Sequence, residues 1–182
     1  MQRIMVVGTS CTGKTTLARS ISVALDIPHV ELDALHWGPG WTESPLEDFR
    51  DAVRERVRSE RWVVDGNYAK ARDIVLSRAT DAVWLNYSFP VIFGRAVRRT
   101  GRRVALREEL FGGNVESFRD GFLSRDSIPW WVVRTYRRRR REYRRLFSEG
   151  DGACVRLTEL RHPRDAESLL AGIREVSGSA GS

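Results

Sequence analysis

Gly8-Thr9-Ser10-Cys11-Thr12-Gly13-Lys14-Thr15 matches the pattern G-x-x-x-x-G-K-[ST], the signature of a phosphate-binding loop. The flanking residues supply the context that the pattern requires. Arg3-Ile4-Met5-Val6-Val7 is a short apolar, β-rich run and reads as a buried strand. Lys14 to Leu25 carries Leu17, Ile21, Ala24 and Leu25 at helical spacing. Strand, glycine loop and helix in that order form the unit that wraps a nucleotide triphosphate.

The spacing follows from the chemistry. A triphosphate needs many hydrogen-bond donors without bulk. Backbone N–H groups turned inward form an anion nest, and the helix start adds a partial positive charge. The expected nucleotide contacts are therefore Gly8, Thr9, Ser10, Cys11, Thr12, Gly13, Lys14, Thr15 and Thr16. Lys14 is expected to reach the β- and γ-phosphates of ATP, and the Thr15 hydroxyl to ligate Mg²⁺.

The chain has 182 residues, enough for one α/β domain with a full core, here placed at 1–176. No apolar run approaches the length of a membrane span. The N-terminus passes directly into strand and loop, unlike a signal peptide. Cys11 and Cys154 have no metal-type spacing, which fits a reduced, cytoplasmic protein. Net charge is +7, and all basic residues except Lys14 and Lys70 are arginine. That balance points to an acidic partner, either nucleotide phosphate or nucleic acid. Monomer and homodimer are equally compatible with the sequence.

Further strands are expected at 28–32, 62–65, 82–85 and 153–157, each alternating with a helix. The fold class is therefore α/β: a three-layer P-loop NTPase fold with a five-stranded parallel sheet and helices on both faces. Ser44 reads as an N-cap, with Pro45 at the first helical position and Glu47 completing a capping box for a helix at 45–59. Residues 101–147 form an arginine-rich helical insertion that reads as a lid. The Gly/Ser-rich tail at 177–182 is expected to be disordered.

Nucleotide-transfer sites need carboxylates at strand C-termini to hold Mg²⁺ and its waters. Glu31-Leu32-Asp33 ends the second expected strand, where alternation places both carboxyls on one side. Asp65 ends the apolar run Trp62-Val63-Val64, and Gly66 permits a sharp turn after it. The expected metal set is Thr15, Asp65 and Glu31. The expected substrate contacts are Asp33, Trp37, Asp65, Asn67 and Tyr68. Trp37 sits on a Gly/Pro loop where an aromatic ring can stack on a substrate. Trp41 suits stacking and loop anchoring equally, and His36 reads as a bystander. Arg95 and Arg99 enter the insertion. Arg134, Arg138, Arg141 and Arg145 share one face of the helix that leaves it, opposite Val132, Tyr136, Tyr143 and Phe147. One reading closes this face over the triphosphate, which makes Lys14, Asp33, Arg95, Arg99, Arg134 and Arg138 the catalytic set. The others are a solvated basic face or a nucleic-acid surface.

The order of phosphate loop, strand-two Asp, W-V-V-D-G, arginine helix, lid and second arginine helix resembles the adenylate-kinase-like family of nucleoside and small-molecule kinases. Within it, E-L-D-A-L-H-W-x-P-x-W and W-V-V-D-G-N-Y resemble the bacterial group of topology modulation proteins. The likeness runs from about Arg3 to Ile173. It implies ATP and Mg²⁺ as cofactors and phosphoryl transfer to a small-molecule or nucleotide-like acceptor. Asp65-Gly66 matches the D-G of the family's D-G-F-P-R motif. Arg125 and either Arg134 or Arg137 match its lid arginines. Glu31-x-Asp33 is similar to the D-x-D of its shikimate- and gluconate-kinase-like members. Asn67-Tyr68-Ala69 replaces F-P-R, and His36 stands where a monophosphate-binding arginine is usual. These departures point away from AMP and toward a hydroxyl compound as acceptor. The rival reading, from the group name, is a nucleotide-gated DNA-binding protein that uses the arginine helix.

Overall fold

The computed structural model describes residues 1–106, 127–149 and 154–179. Five parallel strands, β1 (Arg3–Gly8), β2 (His29–Glu31), β3 (Trp62–Asp65), β4 (Asp81–Leu85) and β5 (Arg156–Leu160), form one sheet in the order β2-β3-β1-β4-β5. The chain passes from β1 to the edge strand β2, returns to β3 between them, and then crosses to β4 and β5 on the other side of β1. The C-terminal end of β1 therefore lies at the switch in strand order, where open α/β sheets form their crevice.

Alternation along the strands divides the core in two. Ile4 and Val6 of β1, with Val83 and Leu85 of β4, face α1 (Lys14–Leu25), α5 (Phe89–Leu106) and α7 (Pro163–Ser179). Met5 and Val7, with Ala82 and Trp84, face α3 (Leu46–Arg56) and α4 (Arg72–Leu76). The strands are apolar on both faces because helices cover both. The long helix α6 (Ile128–Glu149) joins both halves, burying Val132 in the first and Tyr143 in the second.

Several expectations are corrected. The second strand stops at Glu31, and Leu32–His36 is a short helix, α2. The capping box does not form. Ser44 donates its hydroxyl to the Leu35 carbonyl at 2.9 Å and its N–H to the His36 carbonyl at 2.8 Å, so α3 begins after Pro45 without a side-chain cap. The fifth strand begins at Arg156, which pairs with Asp81 of β4, and does not include Cys154 and Val155; residue 153 lies outside the described residues. The last helix continues past Val176 to Ser179, and 180–182 lie outside the described residues. The expected lid consists of the end of α5 and α6. Its central part, 107–126 with Arg125, lies outside the described residues.

Candidate active site

The phosphate loop leaves β1 through Gly8, and α1 starts directly after Gly13. Gly13 holds a φ of +95°, a left-handed conformation that glycine adopts without steric cost. Beyond the loop opens a cavity of about 1960 Å³. Ser10 through Thr16 line it, while Gly8 and Thr9 lie behind it and shape the loop. The Thr9 carbonyl accepts from the Lys14 ammonium at 3.1 Å and from the Thr12 hydroxyl at 2.8 Å. Burial lowers the Lys14 pKa, and Arg99 pushes the same way, whereas Asp33 and Asp65 oppose both.

Asp65 is buried at the C-terminal end of β3, paired in register with Val6 of β1 and Glu31 of β2. Its Oδ2 accepts from the Thr15 hydroxyl at 2.7 Å, and its Oδ1 lies 2.7 Å from His29 Nε2. Asp65, expected as a substrate contact, is not among the residues that line the cavity. It sits one layer behind, where it sets the orientation of Thr15. Glu31 and Asp33 both line the cavity. Burial raises the Glu31 pKa, and Asp65 and Asp33 add to the shift. Asp33 reaches the cavity from the first turn of α2, not from the strand, and its Oδ1 accepts from the Tyr68 hydroxyl at 2.6 Å. Burial, and after it the neighbouring Asp33 carboxylate, push the Tyr68 phenol well above its ordinary range.

Asn67 and Tyr68 line the cavity after Gly66, whose φ of +143° turns the chain sharply. Trp37 and Trp41 line it from the loop after α2, edge to face at 5.7 Å. His36 is buried among Trp37, Phe49 and Tyr68, and burial lowers its pKa.

Arg95, Arg98, Arg99 and Arg102 line the opposite wall at i, i+3, i+4 and i+7, the spacing of one helix face. Arg95 donates to the Thr12 carbonyl at 2.6 Å and lies 5.2 Å over the Tyr87 ring, so it braces the phosphate loop. Arg134 and Arg138 are placed differently from the expectation. They are exposed, as are Arg141 and Arg145, and lie outside the cavity lining. Val132 and Tyr143 turn the opposite face of α6 to the core, and the residues α6 presents to the cavity are Ile128, Trp131 and Arg139.

Residues missed in the sequence complete the site. His29 holds Asp65, and its spacing of i, i+2 from Glu31 within one strand was the available signal. Tyr143 donates to Asn67 Oδ1 at 2.6 Å, which ties α6 to the loop after β3, and Arg72 donates to Glu142 at 2.6 Å, which ties α6 to α4.

No family model matches the chain, and no curated protein matches it in sequence. Solved structures do match in fold. Shikimate kinase from Acinetobacter baumannii, in complex with shikimate, aligns with a TM-score of 0.59 at 16% identity, covering 99% of this chain and 94% of that one. Shikimate kinase from Bacteroides thetaiotaomicron aligns at 0.57 and 16%, covering 96% and 97%. A gluconokinase from Sinorhizobium meliloti 1021 aligns at 0.54 and 20%, covering 98% and 95%. The chain therefore has the α/β fold found in small-molecule P-loop kinases.

Proposed function

We propose that this protein is an ATP-dependent, Mg²⁺-requiring phosphotransferase acting on a small hydroxyl-bearing acceptor. The observation that carries the reading is the 2.7 Å bond from Thr15 to Asp65 at the base of a cavity that also holds Lys14 and Asp33. The donor set fits Mg²⁺. Thr15 and Glu31 offer hard oxygen ligands with Asp65 behind them, and no cluster of three or more His, Cys, Asp or Glu ligands occurs among the described residues. Mg²⁺ at nucleotide sites is held by one or two such groups together with phosphate oxygens. When bound, the ion neutralises charge on the β- and γ-phosphates.

The chain's own residues do the rest. Loop amides and Lys14 hold the phosphates. Tyr68 fixes one oxygen of Asp33 and leaves the other to receive the acceptor hydroxyl and its proton. The acceptor oxygen then bonds to the γ-phosphorus as the bond to the bridging oxygen breaks and ADP departs. Arg95 and Arg99 offset charge on the transferred group. We place the protein in the cytoplasm on its sparse cysteine usage; among the described residues no helix is long and apolar enough to cross a membrane. Acceptor-dependent ADP release, screened over nucleosides, monophosphates and sugars, tests the reading. Nucleotide binding without ADP release for any acceptor would overturn it.

A second reading is favoured by one observation. The exposed arginines Arg134, Arg138, Arg141 and Arg145 make no ion pair with a described residue, which suits a nucleic-acid surface.

A further inference from the structure

We propose that the acceptor half of the cavity is built for an uncharged or amine-bearing hydroxyl compound and excludes anions. The inference rests on the kinase reading above and names the substrate class of that site. The charged lining is uneven. Lys14, Arg19, Arg95, Arg98, Arg99 and Arg102 come from α1 and α5, with Glu167 of α7 among them. The opposite wall, from β2, α2 and the loops after α2 and β3, carries the carboxylates Glu31, Asp33 and Glu43. Lys70 is the one cation on that wall among the described residues, and it is drawn to Glu43 at 3.4 Å. Arg139 reaches the cavity from α6 and is engaged by Glu142 at 3.4 Å.

The apolar surface between the carboxylates is aromatic. Trp37, Trp41 and Tyr68 offer ring faces, which attract cations and stack on flat or ring-shaped neutral bodies. His36 lines the same wall, and its buried Nδ1 has no hydrogen-bond partner among the described residues. A neutral imidazole there suits a hydroxyl and gives an anion no counter-charge. A carboxylate or phosphate on the acceptor would instead meet the Asp33 carboxylate, since Glu31 is assigned to the metal and Glu43 is drawn to Lys70, and like-charge juxtaposition is an effective means of rejecting a ligand.

Two measurements test this. The first needs no acceptor. Trp41 is 41% exposed, so the emission lost in Trp41→Phe reports on this wall. We expect that emission to be quenched more strongly by caesium than by iodide; stronger quenching by iodide would overturn the proposal. The second compares ADP release with galactosamine, galactose and galacturonate, and with adenosine and AMP, at saturating Mg²⁺ and ATP. We expect the anionic member of each set to be at least about tenfold poorer in kcat/KM than its neutral or amine counterpart. An anion as the best acceptor would overturn the proposal. If no acceptor releases ADP, the kinase reading fails, and the quenching result alone decides the charge of the wall.

Discussion

Lys14 combines a functional demand with a cost to the fold. Burial lowers its pKa from the ordinary 10.5, so folding disfavours its charged form. The sign follows from linkage. Below the folded pKa the ammonium destabilises the protein, and this cost is relieved as pH rises toward 10.5. Lys14→Met should therefore melt higher than the parent protein at neutral pH without nucleotide, with the gap closing at alkaline pH. The Thr9 carbonyl keeps the Thr12 hydroxyl as donor, so the substitution orphans no acceptor there. Turnover of the same variant should fall on the order of 10²–10³-fold, the usual effect of removing a preorganised charge-stabilising donor. Melting curves across pH and ADP-release rates check the two halves. Asp65 and Asp33 should differ in kind. Asp65→Asn disturbs the bonds to Thr15 and His29 and should weaken Mg²⁺–ATP binding. Asp33→Asn should leave that binding nearly intact and lower kcat/KM for the acceptor. Calorimetric titration separates them, and equal losses in both would refute the division. The sequence revealed Asp65 through the apolar run before it. It could not reveal Tyr68 on Asp33 or His29 on Asp65, because those pairs lie 35 and 36 residues apart.

Among the elements, those with strong periodicity were legible and those set by tertiary contacts were not. The phosphate loop and α1 have the bounds that their spacing implies. The edge strand β5 was displaced because exposed Arg156 and Leu157 break the apolar pattern, and pairing with β4 decides its register. The five-residue α2 is too short to show a helical period, and the Ser44 cap was lost to the Leu35 carbonyl. The loop after β3 gives the prediction at this scale. A methyl group on Gly66 would sit 2.7 Å from Leu32 Cβ, at a φ of +143°. Gly66→Ala should destabilise the protein by about 2 kcal/mol or more, since overpacking and left-handed strain add. Tyr143→Phe should cost less, about 1–2 kcal/mol, by leaving Asn67 without its donor. Urea unfolding ranks the two, and Tyr143→Phe as the more damaging change would show that the strain at Gly66 is relieved by a shift of Leu32.

At the scale of the whole molecule, two arginine groups have different neighbours. Arg95, Arg98, Arg99 and Arg102 of α5 line the cavity, and Arg134 and Arg138 of α6 face solvent. Sequence periodicity set Arg134, Arg138, Arg141 and Arg145 on a different face from Val132 and Tyr143, and those four are exposed. It gave no signal that this face points away from the cavity, because helical spacing fixes which residues share a face but not what the face meets. The two groups should therefore respond independently. Arg99→Gln should lower kcat, because a guanidinium near Lys14 offsets charge on the transferred phosphoryl group. Arg134→Gln with Arg138→Gln should change kcat by less than about threefold, since exposed charges beyond a Debye length are screened at ordinary salt. If α6 binds nucleic acid, the logarithm of DNA affinity should fall against the logarithm of salt with a slope near −0.9 per phosphate neutralised. The double variant should then shallow that slope by about two, regardless of DNA sequence. Turnover and filter-retention titrations on both proteins resolve the question. A large fall in kcat for the double variant, with an unchanged salt slope, would mean that α6 swings its arginine face onto the phosphates during the reaction.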